Sequence, residues 1–208
     1  ILSYYLDRLV YFCVVMSKAE RTRQYIIEKA APIINRKGMA GASLSDIMEA
    51  TGLAKGCIYG NFENKDEICL EAFNYLSQSY SERLQKYLQG FSGNKAKLLA
   101  YLDFSMDGSF RDEFGGCPVI NFGAESDDTH PAIRERVQQV IHASRAFIRN
   151  LLQKGVESGE FKPTLDCETQ ALKIYVLLEG AVIISRIENN KTELEQILNL
   201  IKTEIETF

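Results

Sequence analysis

The stretch Leu44-Ser45-Asp46-Ile47-Met48-Glu49-Ala50-Thr51-Gly52-Leu53-Ala54-Lys55-Gly56-Cys57-Ile58-Tyr59-Gly60-Asn61-Phe62-Glu63-Asn64-Lys65 decides the fold. Leu44, Ile47 and Met48 stand at i, i+3 and i+4, the spacing of one apolar helix face. Ser43 precedes them as an N-cap, and Asp46, three residues on, completes a short capping box. Gly52 is where a helix stops and turns, and Leu53 fills the space under that turn. A second short segment, residues 55–62, carries the aromatics Tyr59 and Phe62. Two short helices across a Gly-containing turn predict a helix-turn-helix, whose second helix can enter a DNA major groove.

Helical spacing continues on both sides. Residues 18–37 place Ile26, Ile27, Ala30, Ile33 and Ile34 on one inner side and end at Gly38. Asn64 caps a long helix, residues 65–88, with Glu67 at the capping-box position and a stripe of Ile68, Phe73, Leu76, Tyr80, Leu84 and Leu88. Gly90 and Gly93 mark a break before a helix over residues 95–110. The run Gly115-Gly116-Cys117-Pro118 breaks the chain again before a short segment, residues 119–125. Pro131 opens a helix to residue 157, which stops before Gly159. Pro163 and Asp166 open another to residue 187, and residues 192–207 form the last. No period-two alternation competes, so the expected fold class is all-α, with about nine helices. The expected division is a helix-turn-helix domain at residues 16–63 and a helical body at residues 64–208.

Residues 1–15 are apolar and aromatic but interrupted by Asp7 and Arg8. They are too short for a membrane span and lack the basic start and cleavage site of a secretory signal. Met16-Ser17-Lys18-Ala19-Glu20 looks like a bacterial start. The leader is therefore of doubtful nature: either sequence upstream of a start at Met16, or an extra helix packed on the body.

Charge is uneven along the chain. Residues 16–66 carry eight Lys and Arg against six Asp and Glu, a net of +2, so residues 67–208 carry −6 of the total −4. A mildly basic front on an acidic body suits a DNA reader with a separate domain for another task. Five cysteines at 13, 57, 69, 117 and 167 form no CxxC pair and are accompanied by two histidines. That spacing argues against a zinc site or a disulfide framework and fits a reducing cytoplasm. His130 and His142, with Asp127 or Asp128, would be the only metal grouping; a helix-start residue and a surface residue are the simpler reading. No nucleophile–base or metal constellation supports an enzyme, and neither metal nor cofactor is expected.

The residues 44–66 resemble the DNA-binding signature of the tetracycline-repressor (TetR) family of bacterial regulators. Asp46-Ile47, Ala50, Gly52, Gly56, Ile58-Tyr59, Phe62 and Lys65-Asp66 match its pattern in register. Met48, Ala54, Cys57 and Asn61 depart from the usual Ala, Ser, Thr and His, and Ala54 and Cys57 each remove a hydroxyl that could contact phosphate. The signature covers about a quarter of the chain. Three helices for DNA, a long connecting helix and a C-terminal bundle also resemble the family layout. So does the Gly115–Glu125 run ahead of a long helix, a recurring feature of one branch.

The resemblance implies roles for particular residues. Tyr59 is either a wedge between the short helices or, by the resemblance, a phenol against a DNA phosphate. Lys55 and Lys65 are candidate phosphate ligands, Lys65 with the help of a helix N-terminus. Gly56 leaves room for close approach of DNA. Asn61 is either a donor to a base edge or phosphate, or a cap. Ser43 and Ser45 offer hydroxyls to phosphate, although Ser43 is equally an N-cap. Arg21 and Arg23 are expected to reach the flanking backbone.

In the body, Tyr101, Phe104, Phe122, Phe147 and Tyr175 are candidates for an apolar effector pocket between helices, against a reading as plain core. Phe110 and Phe114 belong to the same aromatic population. Cys117 is either a small buried residue or a thiol sensor. Leu172, Tyr175, Val176 and Glu179 share one helix face, as do Leu194, Ile197, Leu198, Ile201 and Ile205. Paired across a two-fold axis, those faces predict a four-helix dimer interface.

The expected function is a cytoplasmic, homodimeric repressor that leaves a palindromic double-stranded DNA operator when a small, mostly apolar effector binds. It has no membrane partner. The competing readings are an electrophile-sensing repressor acting through Cys117 and a helical adaptor that binds no DNA.

Overall fold

A computed structural model describes residues 17–208, so the leader with Cys13 and Met16 lies outside the described residues. The described chain forms ten helices and no strand. In chain order they are α1 (Lys18–Lys37), α2 (Leu44–Thr51), α3 (Lys55–Tyr59), α4 (Lys65–Leu88), α5 (Asn94–Asp107), α6 (Ser109–Phe114), α7 (Pro118–Ser126), α8 (Pro131–Glu157), α9 (Cys167–Ile187) and α10 (Thr192–Ile205).

Local chemistry sets most of these boundaries. Ser17 and Glu20 form a full capping box at the start of α1. Ser43 and Asp46 do the same for α2, and Gly52 ends α2 in the left-handed region at φ 68°. Asn64 caps α4 through the Glu67 N–H, but the Glu67 carboxylate bonds the Glu63 N–H instead of completing the box. Glu160, from beyond α8, caps α5 by accepting the Asn94 and Lys95 N–H groups at 3.0 and 2.9 Å. Those backbone donors hold the Glu160 carboxyl down to about 2. The expected single helix over residues 95–110 is broken: Gly108, at φ 72°, ends α5 and leads into α6.

Two cores form. The first gathers the inner faces of α1, α2 and α3 with Ile68, Phe73 and Leu76 of α4, Phe122 of α7, and Ile133 and Val137 of α8. The second gathers Leu98, Tyr101 and Leu102 of α5, Ile148, Leu151 and Leu152 of α8, and the inner faces of α9 and α10. Helices α4 and α8 therefore run through both, and α7 lies along the first with its N-terminus toward the second. No described helix is long and apolar enough to cross a membrane.

Candidate nucleic-acid interface and effector cavity

Ile47 and Ile58, both fully buried, pin α2 and α3 to α1. The Tyr25 hydroxyl donates to the Thr51 carbonyl at 3.1 Å and ties the end of α2 to α1. Lys37 bonds Asp46 at 2.6 Å; with the Ser43 backbone N–H it holds that carboxyl down to about 2. What remains outside is the other face of α3. Lys55, Gly56 and Tyr59 are exposed, with the Lys55 ammonium 5.9 Å from the Tyr59 ring centre. A Cβ on Gly56 would meet nothing within 4 Å, so that surface is open. Tyr59 is 41% exposed and therefore does not wedge between the short helices. Arg21 and Ser45 are exposed as well. Lys65 is half-buried, its ammonium 3.4 Å from the Ala40 carbonyl.

Three expected contacts have other work. The Arg23 guanidinium donates to the Asn61 carbonyl at 2.6 Å, pairs with Glu67 and Glu71, and lies 4.2 Å from the Phe62 ring centre. It braces α1 to α4 and is not a free cation for DNA, which corrects its expected role. The Asn61 amide donates to the Cys57 carbonyl at 2.8 Å, which favours its capping role. The Ser43 hydroxyl is taken up with Asp46.

The body holds a cavity of about 60 Å³ where the two cores meet. Ser77 and Tyr80 of α4, Tyr101 and Ser105 of α5, and Val140 and Ser144 of α8 line it. Cys117, Pro118 and Val119 close one side, and Tyr175, Leu178, Glu179 and Val182 of α9 close another. Of the expected pocket residues, Tyr101 and Tyr175 line it; Phe104, Phe122 and Phe147 do not. Phe104 backs Tyr80 at 5.4 Å between ring centres, and Phe147 backs Tyr101 at 5.7 Å. Phe122 is buried in the first core against Phe73 at 5.3 Å. Phe104 and Phe147 thus support tyrosines, and the rings that meet the cavity carry a hydroxyl beside its polar groups.

Cys117 is in the cavity wall, and its thiol donates to Glu179 Oε2 at 3.1 Å. Burial first, and the Glu179 charge second, push the Cys117 thiol well above its ordinary range. A thiol so held is a poor nucleophile, which weighs against the sensor reading. Burial also raises the Glu179 carboxyl.

Helix α7 joins this cavity to the helix-turn-helix. At its far end the Glu125 carboxylate accepts the Met39 and Ala40 N–H groups, both at 3.0 Å, in the turn after α1. A Cβ on Gly38 would come within 2.3 Å of Glu125 Oε1, so the grip depends on that glycine. At the near end, buried Asn35 of α1 donates to the Phe114 and Gly116 carbonyls, and Asn121 donates back to Asn35. Arg36 adds bonds to the Asp112 and Glu113 carbonyls.

The family model described as "Bacterial regulatory proteins, tetR family" matches residues 26–72, and "Tetracyclin repressor-like, C-terminal domain" matches residues 95–201. This chain belongs to the tetracycline-repressor family. It is a DNA-binding transcriptional regulator. A TetR-family regulator from Cytophaga hutchinsonii is 36% identical, with 91% of this chain and 96% of that one covered at a TM-score of 0.87. One from Chloroflexus aurantiacus is 41% identical over the same shares, with a TM-score of 0.85. The transcriptional repressor DhaR of a Mycobacterium species is 23% identical over 183 residues, 86% of this chain and 89% of its own length.

The dimer face requires correction. Leu194, Leu198, Ile201 and Ile205 are buried in the second core of the TetR-family protomer, and Ile197 packs partly against it. The apolar stripe of α10 closes its own subunit. Leu172 and Val176 are instead exposed, at 42% and 56%, and Ile184, Ile187 and Leu200 join them. On α9 these positions fall at steps of four, eight and three residues, a single outward face. His130 lies 3.5 Å from Asp66, His142 is exposed, and no metal-ligand cluster occurs among the described residues.

Proposed function

We propose that this regulator is a homodimeric repressor whose DNA-reading part is residues 16–63 and whose effector and pairing part is residues 64–208. Lys55, Gly56 and Tyr59 face the major groove, and Ser45, Lys65 and Arg21 flank it toward phosphates. The outward face of Leu172, Val176, Ile184, Ile187 and Leu200 meets its copy across a two-fold axis, because an apolar stripe of that length is costly to leave in water. Two α3 helices then meet a palindromic operator. A small effector with an apolar body enters the tyrosine-lined cavity and moves α7, and with it the helix-turn-helix.

The observation that carries this reading is the position of α7, with Pro118 and Val119 in the cavity wall and Glu125 on the turn before α2. A ligand acting at one end changes what the other end holds, provided it binds the two conformations unequally. The test is a gel-shift titration on DNA upstream of the protein's own gene, at salt from about 50 to 200 mM. Affinity is expected to fall steeply with salt. Lys55→Ala should lower the salt slope by about one, and Tyr59→Phe should weaken binding with thermal stability unchanged. Loss of stability in step with binding would make these residues structural and overturn the assignment.

A further inference from the structure

The cavity contains two polar groups that the fold does not satisfy. The Ser77 hydroxyl oxygen is buried and has no hydrogen-bond partner among the described residues. Glu179 sits in the middle of α9 inside an otherwise apolar run, and its one hydrogen bond among the described residues comes from the weak Cys117 thiol donor. No described cation forms a salt bridge with it: Arg111, in the same wall, acts on it only through its charge and gives its guanidinium to the Ser105 carbonyl. A carboxylate out of water without a cationic partner is unfavourable unless a ligand supplies one. Around it stand the rings of Tyr80, Tyr101 and Tyr175, whose faces carry negative quadrupole density.

We propose that the effector is a small cation: a protonated amine or amidine that pairs with Glu179 and bonds Ser77, its apolar body held among the three tyrosine rings. This rests on the reading of the cavity as the effector site and narrows the ligand class. Ammonium N–H groups supply what both polar groups lack: a charge-assisted donor for Glu179 and a partner for the Ser77 oxygen. The rings add cation–π attraction in a site with little water. At about 60 Å³ the cavity limits the ligand to a small one, and a single ring with a short amine-bearing arm would have to widen it. Burial raises the Glu179 carboxyl, and an entering cation would draw it back to the charged form.

The test uses the intact protein and three probes of one shape: 2-phenylethylamine (cation), 2-phenylethanol (neutral) and phenylacetate (anion), titrated by calorimetry at pH 7.5. The amine is expected to bind at least tenfold more tightly than the alcohol. Glu179→Gln should erase that preference to within about threefold, with helical circular dichroism showing that the variant is folded. If the alcohol binds as well as the amine, or if Glu179→Gln keeps the preference, the cation proposal fails while the cavity reading stands. Preference for phenylacetate also refutes it and points to Arg111. If none of the three binds at millimolar concentration, both readings fall.

Discussion

Glu125→Ala separates a structural link from a coincidence of packing. The Glu125 carboxylate accepts two backbone N–H groups, from Met39 in a partly buried setting and from Ala40 in an exposed one. Hydrogen bonds to a charged acceptor contribute about 1.5–3 kcal/mol when sheltered, and less where water competes. Taking about 1 kcal/mol for each, the truncation costs the turn about 2 kcal/mol of local stability. At about 1.4 kcal/mol per factor of ten, its opening constant rises roughly 30-fold. Amide hydrogen exchange reads that quantity residue by residue. The Met39 and Ala40 amides should exchange roughly 30 times faster in the variant, while the Gly52 amide, bonded to the Met48 carbonyl within the helix-turn-helix, keeps its rate. Unchanged Met39 and Ala40 rates would show that the carboxylate does not hold this turn in solution. Equal acceleration at Gly52 would show general destabilisation of the domain instead of a severed link.

Val176→Glu should give folded monomers by sedimentation velocity, because the side chain is 56% exposed in the protomer; an intact dimer would remove the α9 face from the interface. Leu198→Glu should lose its helical circular dichroism, since a charge in a fully buried leucine site costs more than the 2–5 kcal/mol of truncation to Ala, a large part of total stability. Cys117 should react with iodoacetamide at pH 7.5 more slowly than free cysteine, with a rate still climbing above pH 9, because burial and Glu179 raise its thiol. Cys117→Ser should still release DNA on addition of the effector; a variant locked on its operator with normal affinity would restore the thiol-sensor reading. The Asp46 carboxyl is depressed to about 2, so its contribution is complete above the unfolded value of about 3.9 and is lost as pH falls through the folded value. Asp46→Asn should therefore reduce the acid sensitivity of unfolding between about pH 4 and 2, measured by circular dichroism.

The helix-turn-helix was readable because its determinants are local. Ser43, Asp46, Gly52 and the buried Ile47 and Ile58 act within a few residues of their own positions, and spacing exposes them. The cavity was half readable. Tyr101 and Tyr175 stand out as aromatics, but no spacing says that Phe104 and Phe147 lie one layer behind them. Glu179 did carry a signal, a lone acid within the apolar run of α9; a shared face with Val176 assigned it to the dimer instead. The dimer face shows the limit of amphipathic patterning. Residues 194–205 display a clean apolar stripe, yet a stripe does not record whether it faces its own core or a copy. Asn35 and Glu125 were invisible in sequence, because their partners lie 79 to 86 residues away.

In the proposed mechanism, the position of the cavity accounts for a small guest moving so large a part. Helix α4 contributes Ile68 to Leu76 to the first core and Leu84 to the edge of the second; α8 contributes Ile133 and Val137 to the first and Ile148 to Leu152 to the second. Ser77, Tyr80, Val140 and Ser144, which line the cavity, fall between those stretches. The cavity thus lies on the seam of two close-packed bodies, and such bodies shift as units instead of deforming smoothly. Asn35 and Glu125 fasten α7 to α1 at both ends, so a shift of α7 would draw the helix-turn-helix with it. To reverse a 99:1 population, an effector needs about 5.5 kcal/mol of preference for one arrangement. Apolar filling of about 60 Å³ acts wherever the cavity stays open. A cation between Glu179 on α9 and Ser77 on α4 instead bridges the two sides of the seam, so its energy depends on their separation. In the proposed mechanism, that dependence turns binding into a change of state.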